Sequence, residues 1–418
     1  MRLLLINQFF WPDTAPTGRF LLDVALAVSR QSEAQIPDIT AICGASSYGD
    51  SGDPVLEPEP PVRILRPSAI RFSRDFAGRI LSYGSFLTGA LVTGFRVGRP
   101  DTVVTLTTPP LTSVFGRMLK LSRGCRHFIW EMDLYPDIAV DLGALKPRSL
   151  LTCVIGALAD WSRRNADGII VLGEEMKARL IARDIPEHKI HVAQNWADGS
   201  EITPLPFPEE SGPLVVHYSG NFGLAHDSAT IMAALDRFAN DPRFQFLFSG
   251  GGIRRQHIES YCHQQGIANV EFRPYASRVD LGNSLASGHL GLVTQLPETC
   301  GSLVPSKTYG ILAAGRPLLY IGPREATPAR IIERFHCGWQ VDPGDTGSLA
   351  SLLEKLENQR HLIVEAGGRA RQAFEENYDQ ALGAARIVEI LGLIPEPRKA
   401  LRAAAGGVGR TIEPLGEC

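Results

Sequence analysis

The sequence has no cysteine pair at metal-binding spacing, no long apolar run and little net charge. Its seven cysteines are scattered over 418 residues without a CxxC pair, which argues against a zinc site or a disulfide framework and fits free thiols in a reducing cytoplasm. No run of about 18 apolar residues marks a membrane span. The formal net charge is −3, so nucleic acid is not an expected partner. No GxGxxG follows the first apolar segment, which argues against an NAD-dependent dehydrogenase.

The N-terminal segment is apolar but too short and too interrupted to be a signal peptide. Asn7, Gln8 and Pro12 break it, and no small-residue cleavage site follows. We therefore expect a buried strand over residues 2–8, followed by a Pro/Gly loop and a helix over residues 19–30.

The chain has the length of two domains, and each half alternates apolar strand segments with helical segments. Such alternation is typical of an α/β fold with a doubly wound parallel sheet. We expect a first Rossmann-like domain over residues 1–197, a proline-rich linker over 198–213 and a second Rossmann-like domain over 214–375. A helix over 376–395 would return to the first domain, and the Ala/Gly/Pro-rich residues 396–418 would form a disordered tail.

Residues 302–317, SLVPSKTYGILAAGRP, combine a turn, a lysine and a short helix. Ser306 is a favourable N-cap for a helix over residues 307–314, and Gly315 suits the position after its end. Lys307 would stand beside the free N–H groups of the first helical turn, where an anion is favoured. The segment thus predicts a diphosphate site, although an ordinary capped helix with a solvated lysine has the same pattern.

Two glycine-rich segments follow apolar strands of the second half. Residues 219–223, SGNFG, include Asn221 and Gly223, and residues 250–252 are three glycines followed by Arg254. Glycine lets backbone approach a phosphate closely. We expect ligand approach at Gly251 in particular, with a tight turn as the alternative in the first segment.

Taken together, these features resemble the GT-B glycosyltransferases of family 4, in their bacterial polysaccharide and O-antigen branch. The resemblance covers about residues 1–395. It rests on the order and spacing of the segments NQFFWPDTAPTGR, WEMDLYPD, QNWAD, HYSGNFGLAHD, FSGGG, VEFRPY and VPSKTYGILAAGRP.

The resemblance implies two Rossmann-like domains that face an interdomain cleft. It also implies transfer of a sugar from a nucleotide sugar, which we expect to be UDP-linked, to a saccharide or lipid-linked acceptor with retention of the anomeric configuration and without a metal or cofactor. The chain departs from the family at two positions that usually carry glutamate, which are Ser302 and Gly310 here. We expect Glu298 to replace one lost carboxylate, with a solvated loop glutamate as the alternative. We expect Tyr309 or Tyr275 to fill the space beside Gly310.

The remaining candidates divide between the two halves of the cleft. Lys307 is the expected catalytic cation, because it can neutralise a diphosphate leaving group, and Asp133 is the expected base for the acceptor hydroxyl. A helix cap is the alternative for Asp133. The expected substrate-binding residues are Asp13, Gly18, Arg19, Asn221, Gly223, Gly251, Arg254, Tyr275, Glu298, Ser302, Ser306 and Gly310.

Basic and aromatic residues alternate from Arg63 to Phe86, with Asp75 as the only acid. This pattern predicts a contact with an anionic membrane surface, and a solvated helix with core aromatics is the alternative. We therefore expect a cytoplasmic protein, peripheral on the inner face of the plasma membrane. Two other functions stay open: a sugar-nucleotide epimerase of similar architecture, and an inactive scaffold that has lost the family glutamates.

Overall fold

The computed structural model describes residues 1–13, 15–31, 38–44, 59–70, 76–209 and 211–393. Within these ranges the chain forms two parallel sheets, each sandwiched between helices. The expected tail over residues 396–418 lies outside the described residues.

The first sheet contains seven strands in the order β3-β2-β1-β4-β5-β6-β7. These strands are β1 (Arg2–Ile6), β2 (Asp38–Ile42), β3 (Arg63–Leu65), β4 (Thr102–Leu106), β5 (Arg126–Trp130), β6 (Gly168–Val171) and β7 (Ile190–Val192). The helices of this half are α1 (Pro16–Gln31), α2 (Phe76–Arg96), α3 (Thr112–Arg123), α4 (Asp137–Asp141), α5 (Leu150–Asn165) and α6 (Glu174–Ile181). Most of the central strand residues are buried, as a sheet covered on both faces requires.

The second sheet contains six strands in the order β10-β9-β8-β11-β12-β13. These strands are β8 (Leu214–Asn221), β9 (Phe244–Gly251), β10 (Val270–Arg273), β11 (Leu290–Thr294), β12 (Leu318–Ile321) and β13 (Gly338–Val341). The helices of this half are α7 (Ala229–Arg237), α8 (Ile253–Gln265), α9 (Leu281–Ala286), α10 (Lys307–Ala313), α11 (Thr327–Phe335), α12 (Thr346–Asn358) and α13 (His361–Asn377).

The final described helix, α14 (Gln380–Ile390), packs against α1 of the first domain. Its Ala384, Ile387 and Val388 belong to the first core. The chain thus returns to the domain in which it began. It passes between the two domains twice, once before β8 and once before α14.

Two details of the second sheet differ from the sequence prediction. β8 continues to Asn221 and β9 to Gly251, so the expected glycine loops begin as paired strand, with Gly220 opposite Gly250. The strand β13 was not predicted, because its sequence GWQV is short and has no continuous apolar run. In the structure only its last residue, Val341, is buried. The strand pairs with β12 through Gly338, where a Cβ atom would lie 2.1 Å from the Leu318 oxygen.

In both sheets the strand order reverses beside the first strand of the domain. The reversal lies between β1 and β4 in the first sheet and between β8 and β11 in the second. Loops at the carboxyl ends of these strands form the crevice in which open α/β sheets bind ligands.

Candidate active site

Lys307 begins α10 and directs its ammonium group beneath the end of β8. A Cβ atom on Gly220 would lie 2.8 Å from Lys307 Cε, so the glycine makes room for the lysine. The ammonium lies 5.4 Å from the centre of the Tyr218 ring. Burial lowers the pKa of Lys307 from 10.5 to about 8. Among the described residues no carboxylate forms an ion pair with Lys307. A desolvated cation without an ion-pair partner is suited to bind an anionic ligand.

His226 is the hydrogen-bond partner of Lys307 and was not identified from the sequence. Its Nε2 lies 3.3 Å from Lys307 Nζ, and its Nδ1 lies 2.7 Å from the Thr294 oxygen. Burial, and then the charge of Lys307, lower the pKa of His226 to about 3. The imidazole is therefore neutral: Nδ1 donates to the carbonyl, and Nε2 accepts from the ammonium. His226 thus fixes the position of the lysine without neutralising its charge.

Glycines at the ends of β8 and β9 bring two backbones unusually close. A Cβ atom on Gly250 would lie 2.2 Å from the Gly220 oxygen, and one on Gly252 would lie 2.4 Å from the Phe222 oxygen. Gly220, Gly250 and Gly252 all have positive φ angles, between 113° and 122°. These glycines are required by the contact between strands, which is a structural reason independent of any ligand.

The outer edge of this site carries Arg254 and Tyr275. The Tyr275 ring is exposed and lies against Gly251, where a Cβ atom would be 3.0 Å from its Cε2. Arg254 follows the glycines at the start of α8, and its Nε is buried without a hydrogen-bond partner among the described residues. Asn221 is exposed beside Gly223, with its Nδ2 3.4 Å from a Cβ atom built there. A planar ring, a cation and an amide therefore surround the strand ends.

Three expected residues of the segment before α10 do not have the predicted environment. Ser306 occupies the N-cap position but is exposed and makes no capping hydrogen bond. Ser302 is fully buried, and its hydroxyl donates to the Thr299 oxygen at 3.0 Å. Glu298 is exposed, and its carbonyl oxygen accepts from Arg179 at 3.0 Å. The structure corrects the N-cap prediction, and it gives Ser302 a role within its own turn.

Gly310 lies inside α10 with space beside it. A Cβ atom there would lie 3.6 Å from Leu285 Cδ1 and 3.8 Å from Ile202 Cδ1, with no other described atom within 4 Å apart from its chain neighbours and the backbone of its own helix. The expectation that Tyr309 or Tyr275 fills this space is wrong. Tyr309 is instead buried in the core, with its ring centre 5.3 Å from that of Tyr378.

The two glycine environments predict opposite effects of an added methyl group. We expect Gly310→Ala to raise the free energy of unfolding by about 0.5–1 kcal/mol, because alanine is the better helix residue and its Cβ meets only ordinary contacts. We expect Gly250→Ala to lower it by about 2–4 kcal/mol, through the positive φ angle and the clash with Gly220. Urea denaturation of both variants tests this, and equal stabilities would contradict the contrast.

Asp133 lies where the first domain touches the second. Its backbone pairs with Leu303 in an antiparallel bridge, and the adjacent Leu134 N–H donates to the Ser302 oxygen at 2.8 Å. Burial, and then the charge of Glu131, raise the pKa of Asp133 to about 6. Leu303 precedes Lys307 by four residues, which span at most about 14 Å. The fold therefore brings the loop of the expected base, in the first domain, against the segment that precedes the expected cation in the second.

A buried ion network supports the Asp133 loop from below. Arg163 Nε donates to Glu131 Oε1 at 2.7 Å, and its Nη1 donates to Asp160 Oδ1 at 3.1 Å. Its Nη2 donates to the Tyr135 oxygen at 3.0 Å. Arg163 is only 2% exposed, and sequence patterns gave no sign of this role. The arginine anchors both ends of the segment that carries Asp133.

The first-domain candidates near the N-terminus form the start of α1. The Gly18 amide donates to the Ala15 oxygen at 3.0 Å, and a Cβ atom at Gly18 would lie 3.0 Å from the Phe9 carbonyl carbon. Asp13 Oδ1 accepts from the Ala15 amide at 3.0 Å, so its carboxylate caps this turn. Arg19 forms an ion pair with Glu201 of the linker at 3.4 Å.

The basic and aromatic segment from Arg63 to Phe86 is described only in part. Arg71, Phe72, Arg74 and Asp75 lie outside the described residues. Phe86 is fully buried in the core beneath α2, so the expectation that it meets a membrane is wrong.

Within the described part of the chain, no helix is both long and apolar enough to span a membrane. The described residues also contain no group of three or more potential ligands suited to a metal ion, and their six cysteines are free thiols.

Comparison with known proteins identifies the class of the enzyme. The chain is 26% identical over 335 residues to the probable glycosyltransferase WbjE of Pseudomonas aeruginosa, covering 76% of this chain and 83% of that protein. It is 24% identical over 254 residues to the putative colanic acid biosynthesis glycosyl transferase WcaI of Escherichia coli K12, covering 57% of this chain and 61% of that one. No protein-family model matches the chain.

Solved structures share the whole architecture. Sucrose-phosphate synthase from Thermosynechococcus elongatus superposes with a TM-score of 0.73 at 15% identity, covering 96% of this chain and all of that one. WaaG, a glycosyltransferase involved in lipopolysaccharide biosynthesis, superposes with a TM-score of 0.66 at 15% identity, covering 93% and 100%. The chain is a glycosyltransferase of the GT-B fold.

The predicted class and fold of the enzyme are therefore confirmed. Within this glycosyltransferase, the structure adds His226 and Arg163 to the residues that the sequence suggested. No spacing rule could have found either, because each acts through a contact with a residue that is distant in sequence: Lys307 for His226 and Glu131 for Arg163.

Proposed function

We propose that the chain is a retaining glycosyltransferase that moves a sugar from a UDP-sugar to a saccharide or lipid-linked acceptor in surface polysaccharide biosynthesis. The observation that carries the proposal is Lys307, a cation without an ion-pair partner in the described structure, at the glycine-walled ends of β8 and β9. The structural neighbour HepE of Anabaena was solved with UDP-glucose and superposes with a TM-score of 0.66 at 15% identity, covering 94% of this chain and 99% of that one. WcaI, named for colanic acid biosynthesis, supports the class of product.

In the proposed reaction, Lys307 of the second domain stabilises the leaving group, and Asp133 of the first domain accepts the proton of the acceptor. As the bond between the sugar and the diphosphate breaks, negative charge grows on the leaving oxygen, and the Lys307 ammonium stabilises it. The acceptor hydroxyl forms the new glycosidic bond and gives its proton to the Asp133 carboxylate. We propose that Arg254 and Asn221 contact the diphosphate, and that Tyr275 contacts the base. Because Lys307 supplies the positive charge, the proposed reaction needs no metal.

Nucleotide binding and product analysis test this proposal. We expect UDP and UDP-sugars to raise the melting temperature of the protein, because a ligand at 100 times its Kd stabilises by about 2.7 kcal/mol. ADP- and GDP-sugars serve as matched controls. NMR of the product should show the anomeric configuration of the donor. Binding without hydrolysis or transfer would instead indicate an inactive scaffold, and a 2-epimerised donor would indicate an epimerase.

The pH dependence of kcat/KM follows from the shifted pKa values of Asp133 and Lys307. Asp133 must be ionised to accept a proton, so activity should rise as the pH increases through about 6. Lys307 must be protonated to stabilise the leaving group, so activity should fall as the pH increases through about 8. A bell-shaped profile with these two limbs is expected. In Asp133→Asn the acid limb should disappear from the residual activity, and an unchanged acid limb would remove Asp133 from the role of base.

A further inference from the structure

The outer surfaces of α3 and α5 form an apolar face on the first domain. Leu150 is 83% exposed and Leu151 is 58% exposed, although both are large apolar side chains. At 100° per residue, the exposed apolar residues of α5 fall within an arc of about 100°. The residues of this outer face are Met118 and Leu121 on α3, and Leu150, Leu151, Val154, Leu158 and Trp161 on α5.

The exposed apolar side chains of α3 and α5 belong to one continuous surface rather than to isolated positions. α3 packs on α5, and α2 packs on α3, so the helices form one layer over the sheet. The Arg117 guanidinium lies 5.5 Å from the centre of the Trp161 ring, which joins the two helices at the surface. Contiguous apolar patches of this kind mark interaction sites on soluble domains.

The charge of the same layer has one sign. Neither α2 nor α3 contains an aspartate or glutamate, and the single acid of α5, Asp160, is buried against Arg163 and Arg183. The layer is therefore basic, although the whole chain carries a formal charge of −3. Apart from the buried Arg163, its basic residues include Arg96, Arg117, Lys120, Arg123 and Arg164.

These two properties distinguish between possible occupants. Two copies of the chain meeting through this face would bring arginine against arginine, which opposes a symmetric dimer. An anionic bilayer satisfies both properties, because leucine and valine enter the acyl boundary, tryptophan lies at the headgroup level and arginine reaches the phosphates.

One end of this apolar face lies toward the cleft. α5 follows β5 in a parallel sheet, so its first turn lies toward the carboxyl ends of the strands, where the active site is. Leu150 and Leu151, the most exposed residues of the face, belong to that turn. A bilayer on this face would lie next to the cleft opening.

We propose that the outer face of α3 and α5 holds the enzyme on an anionic lipid bilayer, so that a lipid-linked acceptor reaches the cleft from the membrane. This inference rests on the proposed function for the identity of the acceptor only. The proposed membrane contact is therefore the outer face of α3 and α5, and not the segment Arg63–Phe86 that the sequence pattern predicted.

Vesicle flotation of the full chain tests the proposal. The probes are vesicles of phosphatidylglycerol with phosphatidylethanolamine, and vesicles of phosphatidylcholine alone. The parent should bind the anionic vesicles, with binding that weakens at high salt. The triple variant Leu150→Gln, Leu151→Gln, Val154→Gln should bind them at least about tenfold more weakly. The control Val279→Gln, Val364→Gln removes exposed apolar side chains from the second domain and should bind like the parent.

The other outcomes overturn the proposal. It is wrong if the parent does not bind, if the triple variant binds as tightly as the parent, or if the parent is a dimer that the triple substitution dissociates. Donor hydrolysis is measured in parallel and should be equal in parent and triple variant, which also shows that the variant is folded. If hydrolysis is absent from both while vesicle binding still differs, the proposed function fails and the membrane face stands.

Discussion

Replacing Lys307 with methionine should lower sugar transfer by about ten- to a hundredfold. One charged contact to a phosphate is worth about 1.5–3 kcal/mol, and each 1.36 kcal/mol changes a rate tenfold. Methionine keeps the length and apolar stem of the side chain, so the core around Tyr218 and Gly220 should stay packed. Steady-state kinetics with a saturating acceptor measures the loss.

The same substitution should not destabilise the protein. Because burial lowers the pKa of Lys307 from 10.5 to about 8, the folded state binds this proton more weakly than the unfolded state. The lysine therefore reduces stability fully below pH 8, and stability recovers as the pH increases from about 8 toward 10.5. At neutral pH the variant should gain on the order of 3 kcal/mol.

Lys355→Met is the matched control, since Lys355 is an exposed lysine of the same domain. It should change neither activity nor stability. If Lys307→Met retains activity within a factor of two, Lys307 is not part of the site. If activity and stability fall together, the lysine has a structural role instead.

Replacing Arg163 with alanine should lower the free energy of unfolding by about 3–5 kcal/mol. Removal of Arg163 leaves the Glu131 carboxylate buried without its ion-pair partner, and such breaks in buried ion networks are costly. Asp160 keeps its contact with Arg183 at 2.9 Å. The Tyr135 oxygen also loses its donor, so the loop that carries Asp133 should become mobile. Urea denaturation measures the stability loss, and transfer should fall with it.

The control is Arg243→Ala, which removes an arginine that contacts Asp241 at 2.7 Å on the surface. Exposed pairs contribute about 1 kcal/mol or less. Arg163→Lys retains the charge but not the three-way hydrogen bonding, and should recover only part of the stability. A loss below about 1 kcal/mol in Arg163→Ala would show that the network relaxes or hydrates without cost.

The fold could be predicted because its signals are local. Apolar strand segments such as Arg2–Ile6 and helical periodicity over residues 19–30 are properties of neighbouring residues, and their alternation implies a parallel sheet. The predicted fold failed only where a neighbour in space decides the structure. Gly338 begins an edge strand because it meets the Leu318 backbone, and no feature of GWQV indicates that contact.

The sequence alone determined the two doubly wound domains, the enzyme class through its ordered motifs, and Lys307 as a cation beside a turn and a helix. Those conclusions depend on residue type and spacing along the chain. Tertiary structure alone decided that Ser302 is buried, that space remains beside Gly310, and that His226 holds Lys307. It also decided the pKa values of Asp133 and Lys307, because burial and the distance to other charges arise only when remote segments pack together.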